Sequence, residues 1–259
     1  MRILTSNIWG NYFSNPVEPR APGLLKVFND LQPDVIGIQE ANYSWYDCDM
    51  FQKMSEDYYF VGTEVSNNNN FVPMAIKKEH ELVAKGYERL FDTEDPTKAI
   101  TWAVIKDKKT GKLAGFCNTH FHYLQGTLEH DMVRCKNALQ LCNVMRGISH
   151  RFNCPVFCFG DMNCTRASHC FSVVYIVAGV KHLWDMAEEK DTVCTIHGNP
   201  VQNEDGSFSG EYPVADHHAS IDHILGMGEN FTVSQYRVVT DQHALDATDH
   251  CPVYADVIL

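Results

Sequence analysis

The feature that most constrains this chain is the recurrence of short strand-like runs, interrupted only now and then by a helical pattern. Runs rich in β-branched or aromatic residues occur at 2–8, 35–39, 74–78, 100–106, 113–119, 156–160, 221–226 and 253–258, each bounded by Gly, Pro, Asn or Asp. The clearest helical periodicity spans 128 to about 150. There Leu128, Met132, Cys135, Leu139, Cys142, Met145 and Ile148 recur at spacings of three and four and predict one apolar face turned to a sheet. A second helix is expected at 21–31, ending before Pro33, and a third around 168–177. Helices inserted among so many strands predict an α/β fold: a four-layer sandwich of two packed mixed β-sheets flanked by helices. The chain has 259 residues, 44% of them hydrophobic, enough for a large core. No repeat, linker or composition shift divides it, so 1–259 reads as a single domain, with the Asn run at 67–70 as a polar loop.

The formal net charge is −12, from 33 acidic and 21 basic residues. That balance argues against wrapping nucleic acid by charge neutralisation, which relies on clustered Lys and Arg. No stretch approaches the roughly 20 apolar residues that span a bilayer. The opening MRILTSNIWG is patterned as a strand and not as a signal peptide, so the cytoplasm is the expected location; secretion would require a leader removed before Met1. The ten cysteines include no C-x-x-C pair, and Cys117 and Cys158 fall inside core strands, so neither disulfides nor a zinc site are expected.

Chemistry concentrates where apolar strands end. Asn7 closes the first run, Glu40 follows DVIGIQ, and His120 follows GFCNT. Asp161 and Asn163 follow PVFCFG, Asp222 and His223 lie in ASIDHIL, and Asp249 and His250 precede the last run. Singly, each has an ordinary explanation, since Asp and Asn after a strand are common turn formers. Together they place acids, amides and histidines at five or more strand ends, which can converge on one pocket.

The segments TSNIWG, IQE, NTHFH, GDMN, IDHIL and TDHCPV resemble, in order and over essentially the whole chain, the successive motifs of the endonuclease/exonuclease/phosphatase superfamily. That group includes DNase I-like nucleases, inositol polyphosphate 5-phosphatases and neutral sphingomyelinases. The resemblance implies a DNase I-like fold and metal-dependent hydrolysis of phosphate esters, with Mg²⁺ as cofactor and Mn²⁺ as substitute. It implies Glu40 as the direct carboxylate ligand, with Asn7 and Asp249 completing the coordination. His250 would be the general base on the attacking water, oriented by Asp222; Asp161 is the alternative base, in one coupled network. Asp161 and Asn163 would orient the water and a phosphoryl oxygen, and His120 would stabilise the phosphoryl group or protonate the leaving oxygen.

One departure stands out. Many members of that group have a glutamate where this chain has Asn70, and it orients the histidine matching His120. An amide cannot stabilise imidazolium as a carboxylate does, which weakens His120 as a general acid. Asn70 and Trp9 are the candidate substrate-binding residues, with Trp9 equally readable as core. The cluster His217, His218 and His223 with Asp216 and Asp222 reads chiefly as a polar loop entering a strand, a second metal site being the alternative. The Gly- and Pro-rich loop 191–219 is the candidate substrate-shaping flap, and Lys77 and Lys78 read as solvated surface. A small or medium phosphate ester is the expected substrate. The alternatives are a nuclease acting on DNA or RNA, and an inactive relative that only binds.

Overall fold

The computed structural model describes residues 1–63, 70–91, 93 and 95–259; most of the Asn run lies outside them. The first half of the chain runs β1 (Arg2–Asn7), α1 (Ala21–Leu31), β2 (Val35–Gln39), α2 (Tyr43–Asp47), α3 (Met50–Met54), β3 (Tyr58–Val61), β4 (Met74–Lys77), β5 (Glu81–Arg89), β6 (Ala99–Lys106) and β7 (Leu113–His120). Next come α4 (Leu128–Phe152), β8 (Val156–Asp161) and α5 (His169–Val173), which passes into a π-turn at Val174–Ala178. After these lie β9 (Lys181–His182), α6 (Leu183–Met186), β10 (Glu189–Lys190), β11 (Val201–Gln202) and β12 (Phe208–Ser209). The chain closes with β13 (Asp222–Met227), β14 (Thr232–Val238), α7 (Gln242–Leu245) and β15 (Val253–Ile258).

Two large sheets form, ordered β10-β14-β15-β1-β2-β4-β3 and β5-β6-β7-β8-β13-β9, with β11 and β12 paired apart from them. Their inner faces share one core, in which Ile3, Val35 and Ile76 of the first meet Ile105, Phe116 and Phe157 of the second. A Cβ on Gly37 of β2 would stand 2.4 Å from the Phe159 ring of β8, so the sheets touch there through a residue without a side chain. Outside the first sheet α1 and α3 bury Leu24, Phe28, Met50 and Phe51, and outside the second α4 and α5 bury Leu141, Met145 and Phe171. This is the expected four-layer sandwich. All eight expected strands are present. The longer strands that sequence reading passed over, β5 and β14, carry many polar residues and lie at or next to a sheet edge, where water takes one face.

One helical expectation needs correcting. Cys142, Met145 and Ile148 of α4 are buried as predicted, but Leu128, Met132 and Leu139 are 72%, 54% and 46% exposed. The first half of α4 packs on loops and not on the sheet, so its inward positions need donors for backbone carbonyls. Arg134 donates to the carbonyls of His122 and Leu124, and Asn137 to that of Phe91. The third helix, expected at 168–177, is split between α5 and the π-turn. The ten cysteines are free, with the Cys164 and Cys170 sulfurs 2.8 Å apart.

Candidate active site at the strand ends

Two parallel pairs, β1 with β2 and β7 with β8, bring their C-terminal ends to the same edge of the sandwich. In the second sheet, register sets His120 of β7 beside Asp161 of β8, and Asp161 beside Asp222 of β13. Asp161 reaches its place through Gly160, whose φ is 143° and whose Cβ, if present, would lie 1.9 Å from the Thr119 carbonyl oxygen. No other residue type can take that position without moving β7. In the first sheet Asn7 ends β1, and Glu40 turns out of β2 with φ 62°, a left-handed conformation that costs a non-glycine residue energy.

The Asn7 amide bridges the sheets, donating to Glu40 Oε1 at 3.2 Å and to Asp161 Oδ2 at 3.1 Å. Glu40 Oε2 also accepts from the Gly10 backbone N–H at 2.8 Å. Asp161 Oδ1 accepts from the Asn163 N–H, and Asp161 Oδ2 lies 3.3 Å from His120 Nε2. Burial works against the Asp161 charge, but His120, His250 and Lys98 hold its carboxyl well below the usual range. His250 Nδ1 meets Asp222 Oδ2 at 2.8 Å, and the Thr195 hydroxyl donates to the same oxygen at 2.7 Å. Burial opposes protonation of His250, yet Asp222 and Asp249 together raise it well above an ordinary histidine. Burial in turn raises Asp222, more than its contact with His250 lowers it.

Asp249 is half-buried, and desolvation among packed protein atoms, reinforced by Glu40, pushes its carboxyl up to about 6. Burial is the main cause, and a cation bound beside Asp249 and Glu40 would offset it. Ligand atoms of Asp161, Asp222 and His250 all lie within 4.8 Å of one another. These three groups can hold a metal ion.

Eight of the ten residues singled out from sequence thus gather at one edge: Asn7, Glu40, His120, Asp161, Asn163, Asp222, Asp249 and His250. The other two do not. Trp9 is 5% exposed and packs edge-on against Phe208 and under the Arg20 guanidinium, so it belongs to the core. Asn70 donates to the Gly62 carbonyl and the Thr101 hydroxyl and accepts from the Val72 N–H, so it pins the entry to β4 and does not orient His120.

The partner that His120 does have was missed. Lys98 Nζ lies 2.7 Å from His120 Nε2, and the side chain is almost wholly buried; burial lowers its ammonium against the pull of Glu40, Asp161 and Asp95. It sits just before an apolar strand, β6, and this position was its only signal.

The loop 191–219 is no flap. It carries the β11–β12 hairpin, bridges Ile196 to His250, and supplies Thr195 to Asp222. The histidine cluster resolves into packing: His217 stacks on Trp184 at 4.0 Å, while His223 meets His182 and the Cys164 carbonyl. Lys77 and Lys78 bond to Gln32 and the Ser55 carbonyl at the surface, as expected.

In front of the cluster lies a cavity of about 410 Å³, lined by Glu40, Lys98, His120, Asp161, Asn163 and His250 on its polar side. Carboxylates, an imidazole held by a carboxylate, and an ammonium around one cavity can bind a cation and an anionic group together.

No protein-family model matches the chain, and no curated protein matches it in sequence. Solved structures do. An endonuclease/exonuclease/phosphatase from Bacteroides vulgatus superposes with a TM-score of 0.78 at 21% identity, covering 100% of this chain and 98% of that one. The mannosyl-6-phosphatase of Bacteroides thetaiotaomicron gives 0.78 at 19% identity, with both chains covered completely. Truncated TDP2 of Caenorhabditis elegans gives 0.72 at 18% identity, covering 99% and 96%. At such identities the likeness speaks to architecture, and the architecture of this chain is that of the endonuclease/exonuclease/phosphatase, DNase I-like superfamily.

Proposed function

We propose that residues 1–259 form one catalytic unit, a Mg²⁺-dependent hydrolase of small or medium phosphate esters in which Mn²⁺ can substitute. The observation that carries this reading is the convergence of Glu40, Asn7, Asp161 and the Asp222–His250 pair on the cavity that holds Lys98 and His120. Glu40 and Asp249 offer carboxylate oxygens, the hard donors that suit Mg²⁺ or Mn²⁺, and Asn7, whose amide oxygen accepts from the Trp9 N–H, would turn to add its own. When bound, the metal neutralises charge on the phosphoryl group and lowers the pKa of a coordinated water.

The protein's own groups do the rest. Asp222 fixes the His250 ring through Nδ1 and directs Nε2 toward the attacking water; the carboxylates that hold the ring protonated are the ones a bound cation would offset, which would free Nε2 to take the proton. Asp161 is the poorer base, because its oxygens already accept from Asn7 and Asn163 and its carboxyl is held low. Asn163 and Lys98 bind phosphoryl oxygens, and His120 stands where the leaving oxygen departs. The mannosyl-6-phosphatase with the same fold supports a small ester over a polymer, as does the net charge of −12.

The test is phosphate release from a panel of small monoesters and diesters, with plasmid and single-stranded DNA alongside, in Mg²⁺ or Mn²⁺. Turnover of small esters that EDTA and Glu40→Ala abolish is the expected result. Full activity in Glu40→Ala, or none on any ester, would end this reading, and DNA cleavage lost in the variant would make the chain a nuclease.

A further inference from the structure

The polar floor of the cavity faces an unusual mouth. Four aromatic rings line it: Tyr12, Phe13, Phe71 and Tyr123. Phe71 is buried and braced edge-on by Tyr43 at 5.4 Å, but Tyr12, Phe13 and Tyr123 are 52%, 74% and 53% exposed. Large rings left in water beside a cleft mark a surface that a ligand covers.

The three exposed rings come from two loops, one after β1 and one after β7, while Phe71 precedes β4. The first is built to hold its rings in place. The Asn15 side chain accepts from the Phe13 N–H and donates to the Gly10 carbonyl, while Arg20 clamps the carbonyls of Trp9 and Asn15 at either end of the tip. The Tyr123 ring in turn lies 5.5 Å from Lys98 Nζ, so an aromatic face adjoins the ammonium that would meet the phosphoryl group.

The charge around the mouth limits the anion. Among the described residues lining the cavity, Lys98 is the one Lys or Arg, set against Glu40, Asp95 and Asp161. A ligand with several phosphates, or a polyanionic strand, would need more cations than this.

We infer that the substrate is an ester with a single phosphate whose organic part presents a flat aromatic face to Phe13, Tyr12 and Tyr123. This rests on the phosphate-ester reading above and adds the substrate class. A phenyl ring and a nucleobase offer the same face, and the probes separate them.

The experiment measures binding and turnover in Mg²⁺. Calorimetry compares 2-phenylethylphosphonate with ethylphosphonate, which lacks the ring; turnover compares 2-phenylethyl phosphate, a nucleoside 5′-monophosphate, its 5′-diphosphate and glycerol phosphate. Binding of the aryl phosphonate is expected to be at least about tenfold tighter than that of the alkyl one, as stacking on an aromatic platform provides. Phe13→Ala and Tyr123→Ser should each collapse that ratio toward one. Leu139→Ala, an exposed apolar residue outside the cavity lining, should leave it in place. Faster turnover of the monophosphate than of the phenylethyl ester would make the face a nucleobase, and the reverse a simple aryl group.

Equal binding of the two phosphonates, a ratio untouched by either mouth variant, or preference for the diphosphate would overturn the inference. A phosphonate ratio that behaves as expected while no ester is hydrolysed would keep the inference and remove the hydrolase reading.

Discussion

Arg20 allows a quantitative test of how the substrate-facing loop is held. Its side chain is 1% exposed, and all five of its N–H groups donate to backbone carbonyls. Nε donates to Pro16, one terminal nitrogen to Ile8 and Ala247, and the other to Trp9 and Asn15, at 2.8 to 3.1 Å. The guanidinium also lies against the Trp9 and Trp45 rings. Burial pulls its pKa down to about 10 against the opposing fields of Asp249 and Glu40, so it remains a cation at neutral pH. Arg20→Lys keeps the charge but offers three donors from a single point, so at least two carbonyls lose their partner. At roughly 1–3 kcal/mol for each buried acceptor left unpaired, the variant should be less stable by about 2–6 kcal/mol. Urea denaturation followed by circular dichroism, in EDTA so that metal binding does not contribute, measures this directly. The same variant should loosen the segment from Trp9 to Asn15, read as faster proteolytic nicking there. A loss below about 1 kcal/mol would mean that charge alone matters at this position, and the hydrogen-bond argument would be wrong.

Two further outcomes follow from other buried groups. Lys98→Met replaces a desolvated ammonium with an apolar chain of similar length. Turnover should fall about 10- to 100-fold, the value of a charge-assisted hydrogen bond, with the melting temperature unchanged or higher; activity within twofold of the parent would remove Lys98 from phosphoryl binding. His223 is buried and neutral, its pKa lowered to about 4 by burial, against an ordinary 6.5. The unfolded chain binds the proton first, so this contribution, about 3 kcal/mol, is fully present above pH 6.5 and is lost as pH falls from 6.5 to 4. His223→Gln should therefore flatten the dependence of unfolding free energy on pH in that window, and parallel slopes for variant and parent would show that His223 does not titrate there.

What could be read from sequence and what could not divide along a physical line. Asn7, Glu40, His120, Asp161, Asp222 and Asp249 were legible because each borders or lies in an apolar strand run, where a polar residue is conspicuous. Strand ends also have their direction set by the pleat and register, so their convergence follows once the parallel pairs are recognised. Lys98 and Arg20 were illegible for the opposite reason. Each lies in a polar, Pro-containing segment, DPTK or EPR, where a cation looks like solvated surface, and only the tertiary fold buries it. Asn70 failed in a third way. Its amide was assigned to His120 by position along the chain, but a buried amide goes to the nearest unsatisfied backbone and hydroxyl groups, here Gly62, Val72 and Thr101.

That last correction changes the electrostatics of the site. The expectation left His120 beside an uncharged amide, with weak support for an imidazolium. The fold instead stations His120 Nε2 between the Lys98 ammonium at 2.7 Å and an Asp161 oxygen at 3.3 Å. An incoming phosphoryl group would draw Lys98 toward itself and leave Asp161 as the dominant neighbour of the ring. On this argument Lys98 seats the phosphoryl group against His120, and Lys98→Met should therefore lower the turnover number itself as well as raise the Michaelis constant. A loss confined to the Michaelis constant would leave Lys98 as a binding group alone.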